Sequence, residues 1–459
     1  MISDFWKRRT LVARTLLKRI FVWAILPAAS LLLIVTLIVH GLKEGKIIRP
    51  TRAEVFERQD QADPDVLTTV SVAGVRYYRI VDSLMLETCF PVRKPRGTFR
   101  IVIAGSSFIM GSPYMHQNEP ALGYGDIPGW IRAELSMRFP SIDFEVINAG
   151  IGAGASRRIL GVAKDLLRAD PDLVVIATGD FEGLMPDQPF NEALRPWVME
   201  KLAKGMPPSH FEKGAYEYRS PGDPELARLE AGYEKGIVDF IGDAKRARVP
   251  VVISTMPINA KYQADRITYA NITELLREDA LVTGLDLMFN GKYREAVDQL
   301  LKSRALPLAL RYIGECCEAL GDRRTAMDFY MTYTEHMPYH RTRPSLNAIV
   351  RRLSETRAVP MADMERALER VSPDGIPDPN YFGDAGHMNW QGYYLMGQEV
   401  LAAILKSGAV KGNRNEPLPA PAREEIIEKF HFTEFTPAEK RTADLPLPVK
   451  TRQRPGCFW

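Results

Sequence analysis

The sequence has few cysteines and no excess of charge of either sign. Its 459 residues include four cysteines, and no two of them form a C-x-x-C pair, which excludes a disulfide-built scaffold and a zinc module. The 60 Lys and Arg against 57 Asp and Glu give a formal net charge of only +3, so charge gives no reason to expect a nucleic-acid partner. A composition that is 46% hydrophobic and 25% charged excludes a disordered chain and a polytopic membrane protein, and indicates a globular protein of two or three domains.

One long hydrophobic run departs from this average. Residues 20–39 (IFVWAILPAASLLLIVTLIV) contain no charge, and at about 1.5 Å per residue they can cross a hydrocarbon core of about 30 Å as a helix. A buried core helix or a cleaved signal peptide is the alternative, but the run is longer than a signal sequence needs and no small-residue cleavage site follows. The sequence therefore predicts one transmembrane helix.

The charges beside this run predict its orientation. Six Lys and Arg lie in residues 1–19, whereas four follow closely after the run. Positive flanks tend to stay in the cytoplasm. We therefore expect a cytoplasmic N-terminus, with most of the chain outside the cytoplasm.

Four short apolar runs are typical of strands that are buried on both faces of a sheet. Amphipathic, helix-like stretches lie between several of them, and this alternation predicts a parallel sheet with helices on both sides. In such a fold, sites form at the carboxyl ends of the strands. The four runs extend from Phe99 to Gly105, from Asp143 to Gly150, from Pro171 to Gly179 and from Val249 to Pro257.

Candidate catalytic residues follow the ends of these runs. Ser107 stands two residues past Gly105 on a predicted strand-to-helix turn, where a serine often merely caps the helix. Far downstream, Asp384 precedes His387 by three residues. An Asp in this position can orient an imidazole so that its free nitrogen takes a proton from a serine hydroxyl.

Taken together, these segments resemble the SGNH or GDSL hydrolases over about residues 98–182, 246–280 and 341–410. The turn IVIAGSSFIMG resembles the first block of that family, VINAG the second, and the D-x-x-H of GDAGHMNW the last. The resemblance implies a flavodoxin-like three-layer α/β/α core and a catalytic triad of Ser107, His387 and Asp384. It also implies an oxyanion hole formed by the N–H groups of Ser107 and Gly150, with neither a metal nor a cofactor.

The third block departs from the family pattern. Family members usually carry an Asn whose side chain donates to the oxyanion, but Phe181 stands at that place between Asp180 and Glu182. Phenylalanine cannot donate this hydrogen bond, and loss of one such donor costs on the order of 10²–10³ in turnover. The first block is also altered, because Ser106 stands where many members have Asp.

Two segments at a fixed offset of 30 residues resemble tetratricopeptide repeats. Small residues at these positions would let two helices of a hairpin approach closely. We expect the pair, at residues 281–340, to be inserted in the hydrolase-like domain and to pack on its core, either as a protein-binding surface or as a structural lid. The matching residues are Gly284, Gly291 and Ala296 in the first segment and Gly314, Gly321 and Ala326 in the second.

The rest of the chain is assigned by composition and position. Residues 183–245 are a second insertion, and the tail from Lys411 has seven prolines, which is typical of an extended segment. Cys89 and Cys457 could form a disulfide outside the cytoplasm. The predicted organisation is a basic flank at 1–19, a transmembrane helix at 20–39, a stalk at 40–97, the hydrolase-like domain at 98–410 and a Pro-rich tail at 411–459.

Two functional hypotheses follow. In the first, the chain is a serine ester hydrolase or O-acyltransferase that acts on an acylated small molecule or polysaccharide. In the second, the fold is a catalytically weakened scaffold that binds a protein partner through residues 281–340 and the tail. The segment SPDGIPDPNYFGDAGHMNWQGYY resembles the end of a bacterial, membrane-anchored subgroup of these hydrolases that carries an inserted helical-repeat segment. Both hypotheses therefore place the chain in the inner membrane, held in the bilayer by residues 20–39, with its main domain in the periplasm or another space outside the cytoplasm.

Overall fold

The computed structural model describes most of the region after the predicted membrane span. The described residues are 67–72, 74–81, 87–111, 125–152, 154–180, 182, 223–261, 279–336, 342–383, 386–430 and 432. They all belong to one compact unit, formed by Phe56–Asp187 and Phe211–Trp459. None of the helices in these ranges is both long and apolar enough to cross a membrane. The predicted span at 20–39 lies outside the described residues.

Five parallel strands form the central sheet, in the order β5-β4-β6-β7-β8. The four apolar runs of the sequence correspond to the first four of these strands in chain order, which confirms the predicted parallel sheet. The fifth strand has only two residues, too few for a pattern. The strands are β4 (Thr98–Ser106), β5 (Asp143–Ile151), β6 (Leu173–Ala177), β7 (Val251–Ser254) and β8 (Met361–Ala362).

Helices cover both faces of this sheet. Alternate residues of β4 point to opposite faces: Ile101 and Ile103 belong to one buried cluster, and Val102 and Ala104 to the other. On the first face pack α1 (Ser107–Met110), α2 (Ile127–Arg138), α10 (Met364–Val371), α11 (Trp390–Lys406) and α12 (Arg423–Phe430). On the second face pack α3 (Ser156–Leu166), α4 (Asp223–Ala247) and α9 (Pro344–Arg357).

The insertion expected at 183–245 contains part of the core. Most of α4 lies within that range, and its apolar side chains Tyr233, Ile237 and Phe240 are buried in the cluster on the second face. A parallel connection between β6 and β7 needs such a crossover helix. The 25-residue α4 is therefore an element of the three-layer fold rather than an addition to it.

The predicted stalk at 40–97 contains a folded sheet. Its strands β1 (Leu67–Val72), β2 (Val75–Val81) and β3 (Glu87–Pro91) pair antiparallel. Ile80 and Phe90 are buried in the same cluster as the second face of the central sheet. The buried Arg100 joins the two sheets, because it forms an ion pair with Glu145 at 2.5 Å and donates to the Pro91 carbonyl at 2.8 Å.

Two helical hairpins occupy the region of the predicted repeats. Gly284 lies against Leu300 and Gly314 against the Tyr330 ring, so closely that a Cβ on either glycine would collide with its neighbour. Ile258 and Ile376 join the buried cluster of the hairpins, as the expected packing on the core requires. Their identification as tetratricopeptide repeats stays a prediction. The helices are α5 (Asp279–Phe289), α6 (Tyr293–Leu300), α7 (Pro307–Ala319) and α8 (Arg323–His336).

The first part of the Pro-rich tail packs on the domain. Ile426 of α12 and Phe432 are both buried, and the Phe432 ring lies 4.4 Å from that of Trp130 in an edge-on arrangement. Residues 433–459, including Cys457, lie outside the described residues. Cys89 lies in β3. Because Cys457 is not among the described residues, the pairing of the two cysteines stays a prediction.

Candidate active site

Ser107 lies at the carboxyl edge of the central sheet, where β4 is followed directly by α1. β4 ends at Ser106 and α1 begins at Ser107. The Ser106 hydroxyl caps the helix by accepting from the Phe108 N–H at 3.1 Å. The capping role that the sequence left open for Ser107 therefore belongs to its neighbour, and the Ser107 side chain has another partner.

That partner is His387. The Ser107 Oγ and the His387 Nε2 are 2.8 Å apart, although the two residues are separated by 280 positions in the chain. The turn around His387 is fixed by a hydrogen bond from the Gly383 N–H to the His387 carbonyl at 2.9 Å and by a β-bridge between Phe382 and Met388. A histidine nitrogen at this distance can take the serine proton. Asp384 lies outside the described residues.

Two glycines let α1 sit directly on the strands. A Cβ on Gly105 would collide with Ile109 and with the Ala177 carbonyl, and a Cβ on Gly150 would collide with the backbone of Met110. Gly150 therefore allows β5 and the helix that begins with Ser107 to approach closely.

The Gly150 N–H, which the family resemblance places in an oxyanion hole, has a partner inside the chain. It donates to the Asn148 Oδ1 at 2.9 Å. The Asn148 Nδ2 in turn donates to the carbonyls of Ile109 and Met110, both at 3.3 Å, and to the Asp126 carboxylate at 3.1 Å. An oxyanion would have to share or replace the Asn148 contact, so the role of Gly150 stays a prediction.

Asn148 and Asp126 are site residues that sequence reasoning missed. Asp126 is buried, caps α2 through the Gly129 N–H at 2.6 Å, and contacts Asn148. Burial raises the pKa of Asp126 to about 6, against the opposing effects of its hydrogen bonds and of Arg132. The sequence signal for Asn148 was its place in the VINAG segment, beside Gly150.

Asp180 lies three residues past the end of β6 and contacts the end of β4. Its carboxylate accepts a hydrogen bond from the buried Ser106 hydroxyl. Burial raises the pKa of Asp180, whereas the Ser106 hydrogen bond and the charge of His387 lower it. Ser106, the altered residue of the first block, is thus the partner of an acid in the third block. Phe181 lies outside the described residues.

Glu182 is a second buried acid close to Asp180 in the chain. Its carboxylate accepts from the Ser156 N–H at the start of α3, where a negative charge is favoured by the helix dipole. Burial raises the pKa of Glu182. Beside it, the Tyr233 hydroxyl donates to the Thr178 carbonyl at 2.7 Å. Within the described ranges, no cluster of three or more His, Cys, Asp or Glu could hold a metal ion.

Comparisons with known proteins find distantly similar solved structures and no similar sequence. No protein-family model and no curated protein sequence matches the chain. Among solved structures it is similar to an acetylxylan esterase from Geobacillus stearothermophilus, with TM-score 0.33 and 13% identity over 67% of this chain and 95% of that one.

Two further structures are similar to the same extent. A GDSL-like lipase from Bacteroides thetaiotaomicron has TM-score 0.31 and 14% identity over 67% of this chain and 88% of its own. An α/β hydrolase from the metagenome of Lake Arreo has TM-score 0.33 and 13% identity over 68% and 97%. Scores at this level do not establish a shared activity, so the functional argument depends on the geometry of the site.

Proposed function

We propose that the chain is a serine ester hydrolase or O-acyltransferase with Ser107 as its nucleophile. The observation that carries this proposal is the 2.8 Å contact between the Ser107 Oγ and the His387 Nε2 at the carboxyl edge of a parallel sheet, where sites of such folds form. The Ser107 hydroxyl is not used to cap α1, because the Ser106 hydroxyl supplies that cap.

The proposed reaction has two steps. His387 takes the proton of Ser107 while the serine oxygen attacks the ester carbonyl, and the imidazolium then protonates the leaving alcohol as the acyl-enzyme forms. Water or a sugar hydroxyl, deprotonated by His387, attacks the acyl-enzyme and restores the serine. Asp384 would hold the imidazole tautomer, and the N–H groups of Ser107 and Gly150 would face the oxyanion.

The oxyanion hole of this proposal is weak. Phe181 supplies no side-chain donor, and the Gly150 N–H already donates to Asn148. Each missing donor lowers turnover on the order of 10²–10³. We therefore expect slow turnover of small activated esters. A larger rate is expected only with a substrate whose other parts also bind at the site and so help to stabilise the transition state.

Steady-state hydrolysis of para-nitrophenyl acetate tests this proposal. Ser107→Ala and His387→Ala should each lower kcat/KM by about 10³-fold or more, and the double variant should lose little beyond either single one, because the two residues act as a unit. Ser136→Ala and His336→Ala are matched controls: Ser136 donates to a carbonyl in α2 and His336 ends α8. Equal activity of all variants would contradict the proposal.

A scaffold function is the second candidate. It is favoured by the engaged Gly150 N–H and by exposed apolar side chains on the hairpins, where Phe289 is 79% exposed. In this case the hairpins at 281–340 and the tail would bind a protein partner. Wild-type protein that is folded but hydrolyses no ester, and that still co-purifies with a partner lost in a Phe289→Ser variant, would favour the scaffold.

We also propose that residues 20–39 anchor the chain in the inner membrane of a bacterium, with the main domain in the periplasm or another space outside the cytoplasm. The charge-free run and the positive flank before it support this topology. Reporters fused after Trp459 provide the test. Activity of a periplasmic reporter is expected, and activity confined to a cytoplasmic reporter would overturn the orientation.

A further inference from the structure

Arg343 lies at the same edge of the sheet as Ser107, at the start of α9. This helix begins at Pro344, and Arg343 is its N-cap residue. One turn later, the Asn347 side chain accepts from the Met256 N–H at 2.9 Å and donates to the Met256 carbonyl at 2.8 Å. Met256 follows the end of β7, so the start of α9 is held at the carboxyl end of that strand.

The Arg343 side chain is buried and has no hydrogen bond to any residue that the structure describes. It is 1% exposed, and none of its three guanidinium nitrogens has a partner within the part of the chain that the structure describes. The neighbouring Thr342 hydroxyl is also 1% exposed and without a partner there. Buried guanidinium groups are normally paired with a carboxylate or a phosphate, and the donors of Arg343 are suited to bind such an acceptor.

The glutamates near Arg343 favour its charged form, but none of the described ones is hydrogen-bonded to it. Glu182, Glu230 and Glu335 are close enough to act on it electrostatically. Glu335 instead accepts from the Ser345 N–H at 2.9 Å and from its hydroxyl at 2.7 Å, and Glu182 accepts from the Ser156 N–H. Two of the three acids are thus bonded at helix starts, and the planar fork of Arg343 keeps its donors for another acceptor.

We propose that Arg343 binds a carboxylate of the substrate, so that the esters accepted at Ser107 are anionic. A guanidinium matches a carboxylate with two parallel hydrogen bonds, and the Thr342 hydroxyl is a further donor beside it. β4 and β7 are two strands apart in the sheet, which is about 10 Å at an interstrand spacing of about 4.8 Å, and α1 and α9 pack on opposite faces of it. The carboxylate would therefore lie on the order of 10 Å from the scissile carbonyl rather than beside it. This inference rests on the proposed function of Ser107.

Two ester classes place a carboxylate at that distance: hemiesters of a long dicarboxylic acid, with the charge on the acyl side, and O-acetylated uronate polymers, with the charge on the alcohol side. Full-length wild type is assayed with mono-para-nitrophenyl suberate against para-nitrophenyl octanoate, and with acetylated polygalacturonate against acetylated xylan. A kcat/KM preference of about tenfold or more for the anionic member of either pair supports the proposal. No preference in either pair overturns it.

Variants assign the preference to Arg343. In Arg343→Gln the ratio of kcat/KM between the paired substrates should fall by about tenfold, mainly through KM, and Arg343→Lys should recover part of it. Arg352→Gln on the same helix is the matched control, because Arg352 pairs with Glu234 at the surface and its loss should not change the ratio. An unchanged ratio in Arg343→Gln overturns the assignment.

Binding separates this inference from the proposed function. Calorimetric titration of full-length Ser107→Ala with monomethyl suberate reads the carboxylate site without any turnover, and Ser107→Ala/Arg343→Gln should bind at least about tenfold more weakly. If no ester is hydrolysed but this difference is found, the proposed function fails and the carboxylate site stands. If esters are hydrolysed and the two variants bind equally, only the carboxylate site fails.

Discussion

The two halves of the carboxyl edge of the sheet differ in how their polar groups are satisfied. On the β4–β5 side, Ser106 and Asn148 are hydrogen-bonded to the backbone of α1, and Asp126 accepts from Asn148. On the β6–β7 side, Arg343 and the Thr178 hydroxyl are buried without hydrogen-bond partners among the described residues. A satisfied network holds the reacting groups rigidly, whereas unpaired buried groups are those that a bound ligand can satisfy.

This contrast suggests a division of roles. The β4–β5 side fixes the nucleophile, and the β6–β7 side recognises a substrate. Asp180 belongs to both sides, since one of its carboxylate oxygens accepts from Ser106 and the other has no partner in the described part of the chain. Changes on the first side should therefore alter stability and rate, and changes on the second should alter substrate preference.

Gly150→Val should have the largest effect on the first side. The new Cβ would collide with the Met110 backbone, so α1 and Ser107 must move, and a displacement of about 1 Å can cost on the order of 10²-fold in rate. We expect a loss of about 3 kcal/mol in the free energy of unfolding as well. Ester hydrolysis and urea unfolding measure the two effects.

Gly232→Ala is the control for that substitution. Gly232 lies within α4 and has no atom near the position of a Cβ, so alanine there should stabilise the helix by about 0.5–1 kcal/mol. A Gly150→Val variant with wild-type rate and stability would show that the contact between β5 and α1 is not needed to place Ser107.

Asp126→Asn should change how stability depends on pH. The native carboxyl has a pKa of about 6 against 3.8 in the unfolded chain, so the native state binds this proton more tightly. The stabilisation is complete below pH 3.8 and is lost as the pH rises through 6, which amounts to about 3 kcal/mol for Asp126. Asparagine can keep the cap on Gly129 without the charge.

Urea unfolding of the wild type and the variant at pH 4 and pH 7 measures this difference. From pH 4 to pH 7, the free energy of unfolding should fall less in Asp126→Asn than in the wild type. The difference should be most of the about 3 kcal/mol that Asp126 contributes. Asp165→Asn, at an exposed position of α3, is the matched acid-to-amide control. Parallel curves for Asp126→Asn and wild type would contradict the buried, linked position of Asp126.

The Ser106–Asp180 pair should show a smaller, coupled effect. Ser106→Ala leaves the Asp180 carboxylate without its described donor and removes the cap of α1. A double-mutant cycle with Asp180→Leu should give a coupling energy of about 1–3 kcal/mol. Additive losses within experimental error would mean that the two residues act independently.

The sequence predicted the parts of the fold that have strong local patterns. The runs that became β4, β5, β6 and β7 are nearly continuous and β-branched, as strands buried on both faces must be. By contrast, β8 has two residues, and the alternating strands of 67–91 lie in a segment of mixed charge. Helix α4 was assigned to an insertion because no motif distinguishes a crossover helix from added sequence.

The site was predictable to the same extent. Ser107 and His387 stood out because each lies beside a recognisable turn, and the structure brings them together. Asp126 and Arg343 carry no motif, and the VINAG segment pointed to Gly150 rather than to Asn148. The roles of these residues arise from contacts between elements that are distant in the chain. The Ser106 cap could not be distinguished from a Ser107 cap without the geometry of α1.

Fluorophosphonate labelling of full-length protein tests the central claim most directly, because the probe reacts only with a serine that a base has activated. Peptide mapping by mass spectrometry should place the label on Ser107 in the wild type and in His336→Ala. The label should be lost in His387→Ala, where the 2.8 Å partner of the Ser107 Oγ is removed. Folded wild-type protein that remains unlabelled, or that is labelled equally in His387→Ala, would contradict the account.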